Sequence, residues 1–216
     1  MGEVQTRGDA SQIGTSRAAA RIRTAAVEIF AQRGYGATSL RDIATRLGLS
    51  PGAVYPHYKT KESLLYAISL EGHTAALAAV TIDHSEAGGP VSQLERAVGA
   101  YVEWHAVNHA LARVVQYELR SLSQAHYRQI ATIRKKTTAV FSDIIQKGVR
   151  AGDFDVEDVD AAVLAISSLC IDVSRWFPTR RRRDPSELAS TYVGLVMHML
   201  MVRTSQQPKA CRPPSC

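Results

Sequence analysis

The stretch from Ser39 to Glu62, SLRDIATRLGLSPGAVYPHYKTKE, decides the fold because it encodes two short helices and the turn between them. The first helix begins after an N-cap at Thr38 or Ser39, residue types that satisfy the first N–H groups of a helix. Its apolar residues recur at helical spacing: Leu40, Ile43, Ala44 and Leu47. Gly48 then ends it, since glycine accepts the positive φ that follows a helix C-terminus.

The second helix of this stretch has a small outer face with almost no charge. Ser50 suits its cap and Pro51 its first position, where the missing N–H of proline costs nothing. Pro56 keeps it short, because the proline ring opposes a carbonyl one turn earlier. Its outward residues are Gly52, Ala53 and Tyr55. Two helices in this arrangement form a helix-turn-helix, whose second helix lies in the major groove of DNA.

Composition and charge point to the same partner. The chain has 216 residues, of which 45% are hydrophobic, enough to bury one sizeable core or two small ones. Its apolar residues follow a helical period, and no run alternates with the period of a strand. The net charge is +6, and +5 of it lies between the N-terminus and Lys61. The excess positive charge therefore coincides with the helix-turn-helix, as expected for a protein that binds phosphate.

Cysteine usage and hydropathy favour a cytoplasmic protein that does not bind membranes. The three cysteines are odd in number and have no metal-binding or disulfide-framework spacing: Cys170, Cys211 and Cys216. No run approaches the roughly 20 apolar residues of a membrane span. The first residues lack the apolar segment of a secretory signal.

The helical pattern divides the chain into four segments and about nine helices in an all-α fold. Residues 1–16 are predicted as a disordered tail, and 17–65 as a three-helix, helix-turn-helix DNA-binding domain with its first helix starting near Ser16. Residues 66–203 form a helical ligand-binding and dimerisation domain, and 204–216 a flexible tail. A helix from about Thr60 to Val80 connects the two domains.

The last helix, from about Pro185 to Arg203, predicts a homodimer. It carries two apolar stripes: Leu188, Tyr192, Leu195 and Met199 on one side, and Ala189, Val193, Val196 and Leu200 on the other. A helix that is apolar all round is buried on both sides. Together with the preceding helix, Val156 to Phe177, it would form a symmetric four-helix interface. The alternative is that the last helix lies centrally within one subunit.

From Arg21 to Leu65 the sequence resembles the TetR family of bacterial transcriptional repressors. The matching residues are RIRTAAVEIFAQRGYGATSLRDIATRLGLSPGAVYPHYKTKESLL. The specific features are the Gly-Tyr-Gly-x-Thr joint, Arg-Asp-Ile-Ala, Gly-Leu-Ser, Gly-x-x-Tyr-x-His-Tyr and Lys-Glu. The resemblance implies an all-helical, two-domain dimer that binds a palindromic operator in double-stranded DNA.

The resemblance also implies roles for individual residues. The Thr38 position contacts phosphate, the segment from Ser50 to Ala53 approaches bases, and Tyr55, His57 and Lys61 hold the DNA backbone. The full candidate set is Thr38, Ser39, Arg41, Ser50, Pro51, Gly52, Ala53, Tyr55, His57 and Lys61. Few of these side chains can read bases by hydrogen bonds, so DNA shape and contacts to thymine methyls are expected to matter. A packing or capping role is the alternative for Tyr55 and His57.

Two segments of the second domain resemble the branch of the family that senses acyl-CoA thioesters. They are Asp-Val-Ser-Arg-Trp-Phe-Pro at 172–178 and Tyr-Glu-Leu-Arg at 117–120, with Arg-Lys at 134–135. The resemblance implies a small hydrophobic ligand, with an acyl-CoA thioester as the candidate. The candidate ligand residues are Trp104, His105, Tyr117, Arg120, Arg134, Arg175 and Trp176. The alternative is that Arg175 and Trp176 brace the dimer interface.

Three other interpretations stay open. His105 and His109 stand four residues apart on a helix, a spacing that can chelate a metal, although a core or pocket histidine is the alternative. No nucleophile elbow, phosphate loop or HExxH motif favours an enzyme, and no cofactor is expected. An architectural DNA-binding protein without an inducer is the remaining alternative, and a cavity in the second domain would argue against it.

Overall fold

A computed structural model describes residues 5–81, 88–178 and 184–200, and this part of the chain contains α-helices but no β-strand. The eight α-helices are α1 Gln5–Arg33, α2 Leu40–Arg46, α3 Lys61–Thr81, α4 Pro90–Val107, α5 His109–Tyr117, α6 Gln124–Ala151, α7 Val159–Trp176 and α8 Pro185–Leu200. Two 3₁₀ turns lie at Pro51–Ala53 and Leu119–Ser121. The predicted all-α fold is confirmed.

The helix-turn-helix differs from its prediction in the second element. Where a short α-helix was expected, the chain makes one 3₁₀ turn, Pro51–Ala53, followed by further turns to His57. Pro56 explains the difference, because it has no N–H to donate and its ring opposes the Gly52 carbonyl. The expected count of about nine helices becomes eight α-helices and two 3₁₀ turns in the described residues.

The first helix is longer than predicted. It begins at Gln5 and not near Ser16, so most of the predicted disordered tail is helical. No proline interrupts residues 5–16, and extending an existing helix is much easier than nucleating one. Residues 1–4 and 201–216, which include the predicted C-terminal tail and the predicted helix end at Arg203, lie outside the described residues.

The local signals around α2 are confirmed. Ser39 is the N-cap, and its hydroxyl accepts a hydrogen bond from the Asp42 N–H while the Asp42 carboxylate accepts from the Ser39 N–H. This reciprocal capping box satisfies two N–H groups that the helix cannot pair. Gly48 has φ +67°, the left-handed conformation expected after a helix C-terminus.

Two apolar cores organise the molecule, and the first does not end at the predicted domain boundary. It joins α1, α2 and the start of α3 to Val114, Val115 and Leu119 around α5, and to Ile130 of α6. The DNA-binding head, defined here as residues 17–65, is therefore packed directly on the second domain. The second core, from the end of α3 to α8, has α4 at its centre and is called the body below.

Helix α3 is long and apolar enough to cross a membrane, by length and composition alone. The expectation that no segment approaches this threshold was therefore wrong for Lys61–Thr81. Within the fold, α3 packs on α4, α5 and α6 as a core helix.

Helix α8 exposes part of one predicted stripe, Leu195 and Met199, whereas Leu188 of the same stripe is buried with the other stripe, and burial against a partner stays a prediction. Leu188, Val196 and Leu200 are buried against the body, whereas Leu195 and Met199 are 54% and 48% exposed. On α7 the exposed apolar residues are Leu164 and Leu169. The last two helices thus each expose apolar side chains that one subunit leaves uncovered.

Candidate DNA interface and ligand cavity

An open groove of about 740 Å³ on the head brings together half of the predicted DNA-binding residues. It lies between the loop after α1, the start of α2, the turn at Tyr55 and the start of α3. Five of its lining residues were predicted: Thr38, Ser39, Arg41, Tyr55 and Lys61. Lys59 also lines it and was missed as a site residue, although it had been counted in the basic excess of this region.

The groove presents exposed cations and the N-termini of two helices. Arg41 and Lys59 are exposed, and neither forms a salt bridge within the described residues. Asp42 also lines the groove, but hydrogen bonds from the Ser39 hydroxyl and N–H occupy its carboxylate and lower its pKa. Because helix N-termini also favour anions, the arrangement suits a phosphate backbone.

Two residues predicted to contact phosphate are engaged inside the head. Thr38 is only 3% exposed, and its hydroxyl donates to the Gly34 carbonyl at 2.9 Å. The Lys61 ammonium donates to the carbonyls of Tyr35 and Thr38, each at 2.8 Å, and lies 4.2 Å from the centroid of the Tyr35 ring. Both residues therefore brace the joint between α1 and α2, and their contact with phosphate stays a prediction.

The remaining DNA-binding candidates lie on the 3₁₀ turn and directly beside it, outside the groove. Ser50, Pro51 and Gly52 are exposed, whereas Ala53 and His57 are half-buried. Val54 is fully buried and anchors the turn to the head core. The small, uncharged outer face predicted from the sequence is present, although one 3₁₀ turn carries it.

The body contains an enclosed cavity of about 170 Å³ between α3, α4, α5, α6 and α7. Its inner end is lined by buried residues: His73, Ala76, Tyr101, Thr137 and Ser167. Its mouth opens between α6 and α7, where the lining residues are exposed: Arg134, Thr138, Leu164 and Ser168. The cavity is therefore a blind pocket with a buried floor and a basic residue at its entrance.

Only Arg134 of the predicted ligand residues lines this cavity. Tyr117 is 56% exposed because it follows the cavity residue Gln116, and one step along a helix turns a side chain by about 100°. Arg175 lies one turn beyond the cavity residue Ile171 and is exposed, paired with Asp172 at 2.6 Å. For both residues the ligand role stays a prediction that the cavity does not support.

The other predicted ligand residues also lie away from the cavity wall. Arg120 is exposed on the second 3₁₀ turn, and Trp104 and Trp176 are half-buried against the body core. His105 is fully buried, with Nδ1 2.7 Å from the Tyr101 carbonyl and its ring edge-on to Trp104 at 4.9 Å. The cavity-lining residues that were not predicted include Thr137 and Ser167. The sequence gives one indication of them, because both are polar residues at inward positions of apolar helix stripes.

The floor of the cavity is uncharged near neutral pH. Burial, assisted by the positive charge of Arg134, lowers the pKa of His73 to about 4. Burial likewise lowers the pKa of the neighbouring His105 to about 4 and raises that of the Tyr101 hydroxyl. The floor therefore offers neutral hydrogen-bonding groups, and the positive charge is confined to the mouth.

The two histidines weighed as metal ligands are each bound to their own helix. Nδ1 of His105 lies 2.7 Å from the Tyr101 carbonyl, and Nδ1 of His109 lies 3.0 Å from the Ala106 carbonyl. His109 contacts the Phe177 ring at 5.6 Å between centroids. Within the described residues no three His, Cys, Asp or Glu side chains group in a way that could hold a metal ion.

The head and its basic groove define an all-helical, helix-turn-helix DNA-binding protein with a cavity in its second domain. Two family models match the chain. "Bacterial regulatory proteins, tetR family" covers residues 22–68, and "Tetracyclin repressor-like, C-terminal domain" covers residues 87–200. The chain belongs to the TetR family of bacterial transcriptional regulators, as the resemblance from Arg21 to Leu65 implied.

Similar proteins extend over most of the chain. A solved TetR-family regulatory protein from Rhodococcus RHA1 is 58% identical and covers 86% of this chain and 98% of its own, with a TM-score of 0.82. The HTH-type transcriptional repressor KstR2 of Mycobacterium tuberculosis is 28% identical, over 80% of this chain and 87% of its own length. The fatty acid metabolism regulator protein of Bacillus subtilis is 25% identical, over 82% and 92%.

The two buried histidines predict a stability that falls in mild acid. Both rings have a pKa of about 4 in the fold against 6.5 in the unfolded chain, so the unfolded state binds more protons between these values. Their contribution is complete above pH 6.5 and is lost as the pH falls towards 4. Urea unfolding at about pH 5 should show a free energy of unfolding lower than at about pH 7.5, by on the order of 2 kcal/mol per histidine. A constant value over this interval would contradict the neutral state of both rings.

Proposed function

We propose that this protein is a ligand-responsive repressor that acts in the cytoplasm. It binds a palindromic operator as a homodimer and releases it when a small hydrophobic ligand, an acyl-CoA thioester, enters the body. The observation that carries the proposal is the combination of an exposed basic groove on the head with a blind cavity in the packed body. The names of two relatives, a transcriptional repressor and a fatty acid metabolism regulator, support it.

The cavity favours a sensor over an architectural DNA-binding protein. A protein that only shapes DNA has no use for a cavity bordered by five helices, and unfilled space in a core costs stability. The apo dimer would hold two heads one DNA turn apart, roughly 34 Å. A ligand that binds better to a dimer with a different head spacing would release the operator. The loss of operator affinity cannot exceed the ratio of the ligand's affinities for the two head spacings.

A mobility-shift assay on DNA from beside the protein's own gene tests the DNA-binding half of the proposal. The wild-type dimer should retain a palindromic fragment at moderate salt. Tyr55→Ala should weaken binding by roughly 30-fold, because each head loses a hydrogen bond worth about 1 kcal/mol. Tyr127→Ala is the matched control, since Tyr127 on α6 is also 47% exposed but does not line the groove.

Two results of the mobility-shift assay would contradict the proposal. Failure to retain any palindromic fragment would remove the repressor function, and equal affinity of Tyr55→Ala and Tyr127→Ala would remove the role of Tyr55. Lys61→Ala would not test phosphate contact alone, because the Lys61 ammonium also binds two carbonyls of the head.

The exposed apolar surface of α7 and α8 is the proposed dimer interface. Leu164 is 69% exposed and Leu195 54%, and Leu169 and Met199 lie on the same two helices. Burying such side chains against a second copy is worth about 1.5–3 kcal/mol for each one fully covered. A two-fold interface pairs the same surface on both subunits and places the heads symmetrically, which matches a palindromic operator.

Leu195→Glu should convert the dimer to monomer, because the substitution places two carboxylates in the proposed interface without partners. Val107→Glu is the control, since Val107 is 59% exposed but belongs to α4. Light scattering coupled to size-exclusion chromatography distinguishes the two states. A dimeric Leu195→Glu protein would exclude α8 as the interface.

A polar contact between the first turns of α3 and α6 is the proposed route from the cavity to the head. The Glu62 carboxylate accepts hydrogen bonds from the Ser123 N–H at 2.8 Å and from His126 Nδ1 at 2.7 Å. Partial burial acts to raise the pKa of Glu62, but these hydrogen bonds outweigh it and lower that pKa. The Tyr66 ring stacks on the His126 ring at 3.8 Å, and its hydroxyl donates to Gln129.

Helix α6 extends from this contact to the cavity, where Arg134, Thr137 and Thr138 line the wall. A ligand that displaces α6 therefore displaces the partners of Glu62. Glu62 adjoins Lys61, which holds the carbonyls of the α1–α2 joint. The displacement reaches the DNA-binding groove through two neighbouring residues of α3.

Glu62→Ala should uncouple ligand from DNA while leaving both sites intact. Coupling between sites is commonly worth about 1–3 kcal/mol, so the factor by which butyryl-CoA weakens operator binding should fall at least fivefold. Glu103→Ala, an exposed glutamate on α4, is the control. Operator affinity measured with and without saturating butyryl-CoA gives the factor. An unchanged factor in Glu62→Ala would exclude this route.

A further inference from the structure

The floor of the cavity contains a buried hydroxyl that the described part of the chain leaves without a hydrogen-bond partner. Ser167 is 8% exposed, and its hydroxyl has no hydrogen-bond partner among the described residues. Tyr101, a residue only 5% exposed, lines the same floor. A buried polar atom without a partner costs about 1–3 kcal/mol, so a ligand that supplies the partner recovers that free energy.

The cavity is small for a ligand site. Its volume of about 170 Å³ is below the roughly 300–1,000 Å³ of pockets that hold drug-sized molecules. At about 30 Å³ for each water-sized group, it has room for roughly five or six non-hydrogen atoms. A long saturated chain or a fused ring system does not fit this space, so a larger ligand must leave most of its atoms outside the mouth.

The charge distribution along the cavity determines which end of a ligand lies at the mouth and which at the floor. Arg134 is the charged residue that lines the cavity, and it lies at the exposed end. The inner end offers an imidazole, a phenol and two aliphatic hydroxyls: His73, Tyr101, Thr137 and Ser167. An anionic group is therefore favoured at the mouth, and a neutral oxygen is favoured at the floor.

We propose that the cavity binds a short acyl group of about four or five carbon atoms that carries a hydroxyl or keto oxygen near its far end. That oxygen pairs with the Ser167 hydroxyl at the floor, and the anionic part of the ligand lies at Arg134. The anion is either the carboxylate of the free acid or the phosphates of its CoA thioester, which share this chemistry. The inference rests on the proposed sensing function, and it names the class of ligand that the sensor takes.

Isothermal titration of the full-length protein with four probes tests this ligand class. The probes are 3-hydroxybutyryl-CoA, butyryl-CoA, hexadecanoyl-CoA and sodium 3-hydroxybutyrate. The oxygenated short thioester should bind about tenfold more tightly than butyryl-CoA, because its hydroxyl recovers one unmade hydrogen bond. Hexadecanoyl-CoA should bind more weakly than either. Binding of sodium 3-hydroxybutyrate as tight as that of its thioester identifies the free acid as the source of the anion, and weaker binding identifies the thioester.

Ser167→Ala should remove this tenfold preference for 3-hydroxybutyryl-CoA over butyryl-CoA. Ser69→Ala is a closely matched control, because Ser69 is 1% exposed and its hydroxyl is also buried without a partner, but it does not line the cavity. Both substitutions remove an unpaired hydroxyl from a helix, so neither is expected to unfold the protein. Thermal melts of both variants check that the fold is retained.

Three results would overturn the inference. They are equal preferences in Ser167→Ala and Ser69→Ala, binding of hexadecanoyl-CoA as tight as that of the short thioesters, and no binding of any probe. Each is independent of the mobility-shift assay described above. A protein that retains its operator but binds none of the probes loses this inference alone, whereas one that binds 3-hydroxybutyryl-CoA but no DNA loses the proposed repressor function.

Discussion

The first turn of α3 is the point on which the rest of the structure depends, because two adjacent side chains of opposite charge leave it in different directions. Lys61 donates to the carbonyls of the α1–α2 joint, and Glu62 accepts from the first turn of α6. Hydrogen bonds to charged groups are directional and are worth about 1.5–3 kcal/mol each. The orientation of the head on the body is therefore set by a few short polar contacts within a largely apolar boundary.

The head and the body satisfy their polar groups differently, and the difference corresponds to their proposed roles. In the head, the capping box at Ser39 and the buried Thr38 hydroxyl are fully paired, which fixes the groove before DNA arrives. Outside the head, three buried polar atoms have no partner among the described residues: Ser69 Oγ, His105 Nε2 and Ser167 Oγ. A rigid head suits a surface that must match a regular polymer, whereas the unpaired Ser167 hydroxyl beside the cavity lowers the stability of the empty state and favours an occupied one.

The head was predictable because its signals are local, and the cavity was not because it depends on five helices at once. The Ser39 cap, the positive φ of Gly48 and the burial of Val54 follow from neighbours within a few residues. The single turn at Pro51–Ala53 was missed because the effect of Pro56 was underestimated. Cavity lining depends on helix rotation, which separates Gln116 from Tyr117, and family segments alone do not give that angle. The burial of Thr38 is likewise a tertiary effect.

The position of the cavity mouth on α7 has a kinetic consequence. Leu164 and Ser168 border the mouth, and Leu164 also belongs to the exposed apolar surface proposed to meet a second subunit. If the partner covers this surface, a ligand bound in the cavity leaves only when the dimer interface opens transiently or the dimer dissociates. Its residence time would then follow the lifetime of the dimer more than the strength of its own contacts. A transcriptional response governed in this way would end slowly after the signal disappears, and it would persist longer at higher protein concentration.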